Sequence, residues 1–261
     1  MILQDHKITG EVYTMKKILA VTLCLAVLML AGTAWAEDYA IATDTAFRPF
    51  EYTDPSGTLV GIDVEILAAI AKDQGFTYTI EPLGWDASIA ACQAGQKDGM
   101  IAGASISEER KAAGWIYSDS YFNATQSMAI AQGTDIKGFE DLKGHSVAVK
   151  IGTISQDYAD SLAEQYGFKV VPFGSSLAVY MAVTGGQCAA CFDDTPVLED
   201  YIQSGGVFLQ KVEGTANEGS DYGFVVFNPD KQDLIDKFNA GLANIKANGT
   251  YDQILAKYLG K

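Results

Sequence analysis

Five stretches follow one another through short connections: Tyr39–Thr43 (YAIAT), Ile62–Gln74 (IDVEILAAIAKDQ), Phe76–Glu81 (FTYTIE), Asp86–Ala94 (DASIAACQA) and Gly99–Ala102 (GMIA). The first, third and fifth are short apolar runs that read as strands; the second and fourth carry the apolar spacing of helices. A β-α-β-α-β order of this kind marks an open α/β sheet. A short helix from Ser107 follows. The pattern restarts after residue 125 with strands at Ser127–Ala131, Ser146–Lys150, Lys169–Pro172 and Cys188–Phe192. Helices are expected at Thr153–Tyr166, Ser175–Val183 and Thr195–Gln203, so a second α/β unit is implied. Beyond Gly219 the reading is a strand, Tyr222–Phe227, and two helices, Lys231–Ala247 and Tyr251–Leu259.

No Pro/Ser/Gly-rich linker separates the two units. Ordinary strand-like segments near Ser120–Ala124 and Gly219–Gly223 must therefore carry the chain across, and two such crossings make a hinge. The expected organisation is a discontinuous first lobe, residues 37–122 and 222–261, and a second lobe, residues 123–221. Ligands of open α/β sheets sit beyond the carboxyl ends of the strands. That rule selects four loops: Asp44–Phe47, Gly103–Arg110, Gly152–Ser155 and Asp193–Thr195.

Composition narrows the chemistry. The chain has 261 residues with 18 Lys+Arg against 33 Asp+Glu, a formal charge of −15. Nucleic-acid affinity comes from basic residues displacing counterions, so a nucleic-acid partner is not expected. Two histidines, His6 and His145, and four cysteines provide no zinc cluster, and neither a metal nor another cofactor is expected. The segment from Met15 has two lysines, then fourteen residues from Ile18 to Ala31 of which only Thr22 is not apolar, then Ala34-Trp35-Ala36. It reads as a secretory signal peptide cut after Ala36, with residues 1–14 an over-extended start. Fourteen helical residues reach about 21 Å, short of the roughly 30 Å hydrocarbon core. Cys24 lies inside the apolar stretch, not after it. Removing residues 1–36 leaves 225 residues with 15 basic and 31 acidic side chains, an acidic exported product. Cys92, Cys188 and Cys191 are expected as buried free thiols, since residues i and i+3 of a strand stand about 10 Å apart.

The four loops carry the polar residues of interest. Ser107 is a fitting N-cap, with Glu108 and Glu109 in the first helical turn. Arg110 projects near that start; a guanidinium fork suits a carboxylate, although a helix arginine is more often a surface ion-pair partner. Gly152-Thr153 before a helix can present N–H groups to an anion, a weak signal alone. Asp193-Asp194-Thr195-Pro196 ends a strand and starts a helix; a capped turn explains the pattern except for its second acid. Phe47 and Trp85 can wall a ligand or pack a core, and Asp44 and Lys150 read equally as a surface pair.

Together these pieces resemble the periplasmic polar-amino-acid-binding proteins of ABC importers, the group that includes the glutamine-binding and lysine/arginine/ornithine-binding proteins. The resemblance spans residues 38–260. It rests on Ala42–Phe47 (ATDTAF), Pro49–Glu51 (PFE), Gly61–Val64 (GIDV), Ala102–Lys111 (AGASISEERK), Val147–Thr153 (VAVKIGT), Asp194–Pro196 (DTP) and Asn248–Tyr251 (NGTY). It implies a two-lobe, type II periplasmic binding fold, each lobe an open mixed sheet flanked by helices, with a two-stranded hinge. It further implies a monomer in the periplasm that closes on an L-amino acid and presents it to a membrane permease. On this resemblance Arg110 clamps the α-carboxylate with Ser105 and N–H groups of residues 152–155. Asp194, the Gly103 carbonyl and Ser105 hold the α-ammonium, Phe47 and Trp85 form the walls, and Ala104, Thr153 and Ile154 complete the site.

The chain departs from the glutamine-binding pattern at Ile154, where that protein has glycine, at Asp193, where it has histidine, and at Trp85, where it has phenylalanine. It retains Asp44 and Lys150, which favours an amide. With Arg110 and Asp194 neutralising the ligand's backbone groups, Asp44 and Asp193 against Lys150 leave −1, which disfavours an anionic side chain. The expected ligand is a polar neutral or cationic L-amino acid, glutamine-like first. Adjacent strand residues point to opposite faces, which leaves open whether Asp193 meets the ligand. No catalysis is expected. The alternatives are a cyclohexadienyl-dehydratase-like enzyme with Asp193 as proton donor, and a sensing module for a separate receptor.

Overall fold

The computed structural model describes residues 38–205 and 208–260. The expected leader, residues 1–36 with Cys24, lies outside the described residues.

The first part of the chain runs β1 (Asp38–Thr43), β2 (Ala46–Phe47), β3 (Glu51–Thr53), β4 (Leu59–Val60), α1 (Ile62–Gln74), β5 (Thr77–Pro82), α2 (Trp85–Gln93), β6 (Gly99–Met100), α3 (Glu108–Ala112) and β7 (Ile116–Tyr117). After β8 (Phe122–Ala124) come β9 (Gln126–Ala131), β10 (Ser146–Lys150), α4 (Ile154–Tyr166), β11 (Lys169–Phe173), α5 (Ser176–Thr184), β12 (Ala190–Asp194), α6 (Thr195–Gln203) and β13 (Leu209–Lys211). The chain returns through β14 (Ser220–Tyr222) and β15 (Val225–Val226) and finishes with α7 (Gln232–Ala247) and α8 (Thr250–Leu259).

Two five-stranded sheets result, ordered β5-β1-β6-β15-β7 and β11-β10-β12-β9-β13. Both are mixed and built alike. In each the earliest strand of a parallel trio lies between the other two, and antiparallel strands complete one side. This repeated plan is the restart visible in the sequence. β8 and β14 pair antiparallel, Phe122 opposite Tyr222 and Ala124 opposite Ser220, so the two crossing segments run side by side as a ribbon.

Local chemistry explains the main elements. In α1, Ile62, Ile66, Leu67 and Ile70 are fully buried, the recurrence a helix needs to lay one face on a core. Opposite it, α7 buries Leu234, Phe238, Leu242 and Ile245. The Oγ atoms of Ser107, Thr153 and Ser175 each accept an N–H of the first turn of α3, α4 and α5.

Two expectations are corrected. The strand read at Tyr222–Phe227 is divided: Tyr222 belongs to the β8/β14 ribbon, while Val225 pairs with Met100 and Tyr117 in the first sheet. Gly223 lies at the break, where a Cβ would come within 2.9 Å of the Tyr117 ring. Cys188 precedes its strand instead of opening it, because the run from Gly185 to Ala189 turns out of α5 before β12 begins. Among the described residues, Cys92, Cys188 and Cys191 are free and buried.

Candidate functional site

The carboxyl ends of β1, β6, β10 and β12 converge on one cleft of about 300 Å³, lined by Phe47, Trp85, Ala102, Gly103, Ser105, Arg110, Lys150, Thr153, Ile154, Ser155, Asp193 and Asp194.

Arg110 reaches the cleft from α3. Its Nη1 donates to the Ser105 carbonyl at 2.8 Å and its Nη2 to the Gly152 carbonyl, on the far side, at 2.9 Å. The guanidinium lies 5.3 Å from the Trp85 ring centre and 5.0 Å from that of Trp115. The indole N–H of Trp85 donates to the same Gly152 carbonyl at 3.3 Å. These bonds join loops of the two sheets, as does the bond from the Tyr222 hydroxyl to Asp194. The cleft is therefore closed. Below Arg110 the first turn of α4 offers the N–H groups of Ile154 and Ser155, positions that lack an intrahelical acceptor.

Asp194 ends β12 and is buried. Its carboxylate accepts Gln126 Nε2 at 2.7 Å, Ser155 Oγ at 3.2 Å and the Tyr222 hydroxyl. Burial, and then the neighbouring charge of Asp193, push its carboxyl up to about 6. Asp193 also lines the cleft: it and Asp194 are both extended and paired with β9, and at the end of the sheet both border the cleft although they meet different partners. Its Oδ2 accepts the Tyr180 hydroxyl at 2.7 Å and its Oδ1 the Asp194 N–H at 2.9 Å. Burial raises its carboxyl above the ordinary range.

The surface-pair reading of Asp44 and Lys150 is overturned. Their side chains are 6% and 4% exposed and form an ion pair across the cleft. Lys150 Nζ stands 4.8 Å from the Phe47 ring centre and 5.6 Å from that of Trp85, so the cation is boxed by two aromatic faces. Asp44 stands behind Lys150 and is not part of the lining. Ala104 is not part of it either; it is buried, and its carbonyl takes the Gly223 N–H at 3.0 Å. The structure brings in residues that sequence reasoning passed over: Ala102, Ser155, and the Asp194 partners Gln126 and Tyr222. Tyr222 lies in the second crossing segment, which the reading had marked only as a hinge.

A pair of α/β lobes with a closed, charge-lined cleft between strand ends defines a two-lobed binding protein of the type II periplasmic kind. The chain belongs to the bacterial extracellular solute-binding proteins, family 3, whose model matches residues 39–261. An arginine-binding periplasmic protein of Mannheimia haemolytica is 30% identical over 230 residues, covering 87% of this chain and 93% of that protein. Among solved structures, an ancestral arginine-binding protein bound to glutamine matches with a TM-score of 0.78 and 34% identity, covering 86% of this chain and 98% of that one. Substrate-binding domain 2 of Lactococcus lactis GlnP, in an open conformation, matches at 0.61 with 36% identity, covering 88% and 98%.

Proposed function

We propose that this protein is exported to the periplasm after cleavage behind Ala36, captures a polar L-amino acid as a monomer by lobe closure, and delivers it to the permease of an ABC importer. The lobes are residues 37–122 with 222–261, and residues 123–221, turning about the β8/β14 ribbon. One observation carries the reading: a guanidinium fork, Arg110, and a buried acid, Asp194, line the same small cleft from opposite sheets. A zwitterion needs one of each. Its α-carboxylate takes Arg110, the Ser105 hydroxyl and the N–H groups at the start of α4. Its α-ammonium takes Asp194 and the Gly103 carbonyl.

The side chain is a neutral amide, glutamine first. Lys150 presents a donor and Asp193 an acceptor to the same cleft, and a carboxamide requires both. A cationic side chain would meet Lys150 as a like charge, and an anionic one would meet Asp193. Arginine relatives make cationic ligands the competing outcome.

Thermal unfolding of ligand-stripped protein against each L-amino acid, ornithine and prephenate tests the reading. A ligand at 100 times its Kd adds about 2.7 kcal/mol, a rise of roughly 5–11 °C for a chain of this size. A shift with glutamine alone supports the amide assignment. A shift with basic amino acids alone keeps the binding function and overturns the amide. A shift with glutamate alone overturns the charge argument, and consumption of prephenate establishes the enzyme alternative.

A further inference from the structure

Beneath the cleft lie two carboxyl groups that the proposed ligand contacts do not use. Glu51, on β3, is fully buried, and among the described residues neither of its carboxyl oxygens meets a hydrogen-bond donor. Asp63, in the first turn of α1, is also fully buried. Its Oδ2 accepts the Gly103 N–H at 2.9 Å and the Tyr121 hydroxyl at 2.8 Å, while its Oδ1 has no donor. Three carboxyl oxygens without a donor in a dry interior are costly if both groups are ionised. The Asp63 N–H donates at 2.9 Å to the carbonyl of Phe50, the residue before Glu51, which brings the two acids together, and each acts on the other's carboxyl, so a single proton between them supplies the missing donor.

We propose that Glu51 is held as a neutral acid that donates its O–H to Asp63 Oδ1, and that this shared proton holds Asp63 on the Gly103 N–H and so positions the Gly103 turn for ligand. Glu51 is thus a positioning residue, and its role in binding rests on the reading of the Gly103 carbonyl as an ammonium contact. The proton belongs on Glu51 for physical reasons. Burial raises its carboxyl well above the ordinary range, and the charges of Asp63 and Asp44 raise it further. Lys150 opposes them, but it is already paired with Asp44. Asp63 is pushed only to about 7 by burial, because the Gly103 N–H, the Tyr121 hydroxyl and Glu51 stabilise its anion. The titratable and charged groups facing the pair are therefore Asp44 beyond β1, Lys150 at the end of β10, and Tyr121 before β8.

The sign of the pH effect follows. Glu51 keeps its proton in the folded protein at pH values where the unfolded chain has lost it, so rising pH works against the folded arrangement. Ionising Glu51 places two anions together and pulls Asp63 off Gly103. Affinity for the amino acid should then fall on the alkaline side by about tenfold per pH unit. The ligand's own ammonium also titrates there, and Glu51→Gln separates the two, because its amide keeps a donor and cannot ionise.

Two measurements on the whole mature protein test the proposal. Infrared spectra of ligand-free protein should show a protonated-carboxyl C=O band at neutral pH that is missing in Glu51→Gln. Calorimetric Kd values against pH, with the amino acid that shifts the unfolding transition, should show equal neutral affinity in the two proteins and an alkaline loss greater in the wild type. The same infrared band in both proteins overturns the shared proton, and parallel Kd profiles overturn the positioning role. Should Glu51→Gln not fold, the wild-type band must vanish on alkaline titration in step with affinity; a band that persists while affinity falls overturns the proposal. If no amino acid binds the wild type, the ligand reading fails and takes the positioning role with it, while the infrared band still reports the proton separately.

Discussion

Asp194 has to satisfy two opposed demands. For the proposed ammonium contact it must be ionised, yet it is buried beside a second acid, and these surroundings lift its carboxyl to about 6. The Gln126, Ser155 and Tyr222 donors pull the other way and keep the anion accessible near neutrality. As pH falls through 6 the pair Asp193–Asp194 takes up a proton, and the ammonium loses its counter-charge. Affinity should therefore weaken by about tenfold per unit of pH on the acidic side, measured by calorimetry, with proton release on binding near pH 6. Asp194→Asn should abolish that dependence and cost about 2–5 kcal/mol of binding, at least about thirtyfold in Kd, with the fold retained by circular dichroism. An unchanged Kd in Asp194→Asn would remove this residue from the site. The sequence made Asp194 visible as the acid that a capped turn did not need. It could not place Asp193, because alternation sends the two acids to different faces of β12 and only the meeting of the sheets brings both to the edge of the cleft.

The elements that aim these residues depend on a few tight backbone passages. Gly61 opens α1 at φ +136, and a Cβ there would lie 2.0 Å from the Phe50 carbonyl oxygen. That atom is backbone, and it also accepts the Asp63 N–H, so it has no room to retreat. Gly61→Ala should destabilise by about 3 kcal/mol or more, combining backbone strain with overpacking, and lower Tm by roughly 6–12 °C. Differential scanning calorimetry checks this, and a loss under 1 °C would refute the close approach. At this scale much of the fold was legible. The helices at Ile62–Gln74 and Thr195–Gln203 and the strand at Ser146–Lys150 were read with the ends the structure has, since long periodic runs and capping residues speak locally. The two-residue strands β2, β4 and β7 were not read, because pairs such as Leu59–Val60 carry no periodicity and exist only through their partners. Asp44 and Lys150, 106 positions apart, are joined only by the meeting of the sheets. Residue type alone therefore left them as a surface pair.

Closure of the whole molecule is the sum of contacts made only when the sheets approach. Arg110 and Trp85 on Gly152, Lys150 on Asp44, Tyr222 on Asp194, and Arg48 on Asp200 all cross between the two halves. A ligand shifts this equilibrium only by its differential affinity for the closed state. On the proposed reading the inner contacts serve that purpose, because they surround the ligand. The Arg48–Asp200 pair differs: it lies outside the cleft lining, with side chains 33% and 20% exposed and the guanidinium 4.2 Å from the Tyr52 ring centre. It contributes to closure without touching ligand. Half-solvated pairs are worth about 0.2–1 kcal/mol, so Arg48→Ala or Asp200→Ala should raise Kd no more than about fivefold. The change should fall almost wholly on dissociation, because the pair forms after the ligand has entered an open cleft. A double-mutant cycle on stopped-flow dissociation rates, followed by the fluorescence of Trp85 as it meets or leaves Gly152, isolates the coupling. Single and double variants should release ligand at the same accelerated rate. If the two single effects simply add, the ion pair does not latch the lobes, and the inner contacts alone hold the molecule closed.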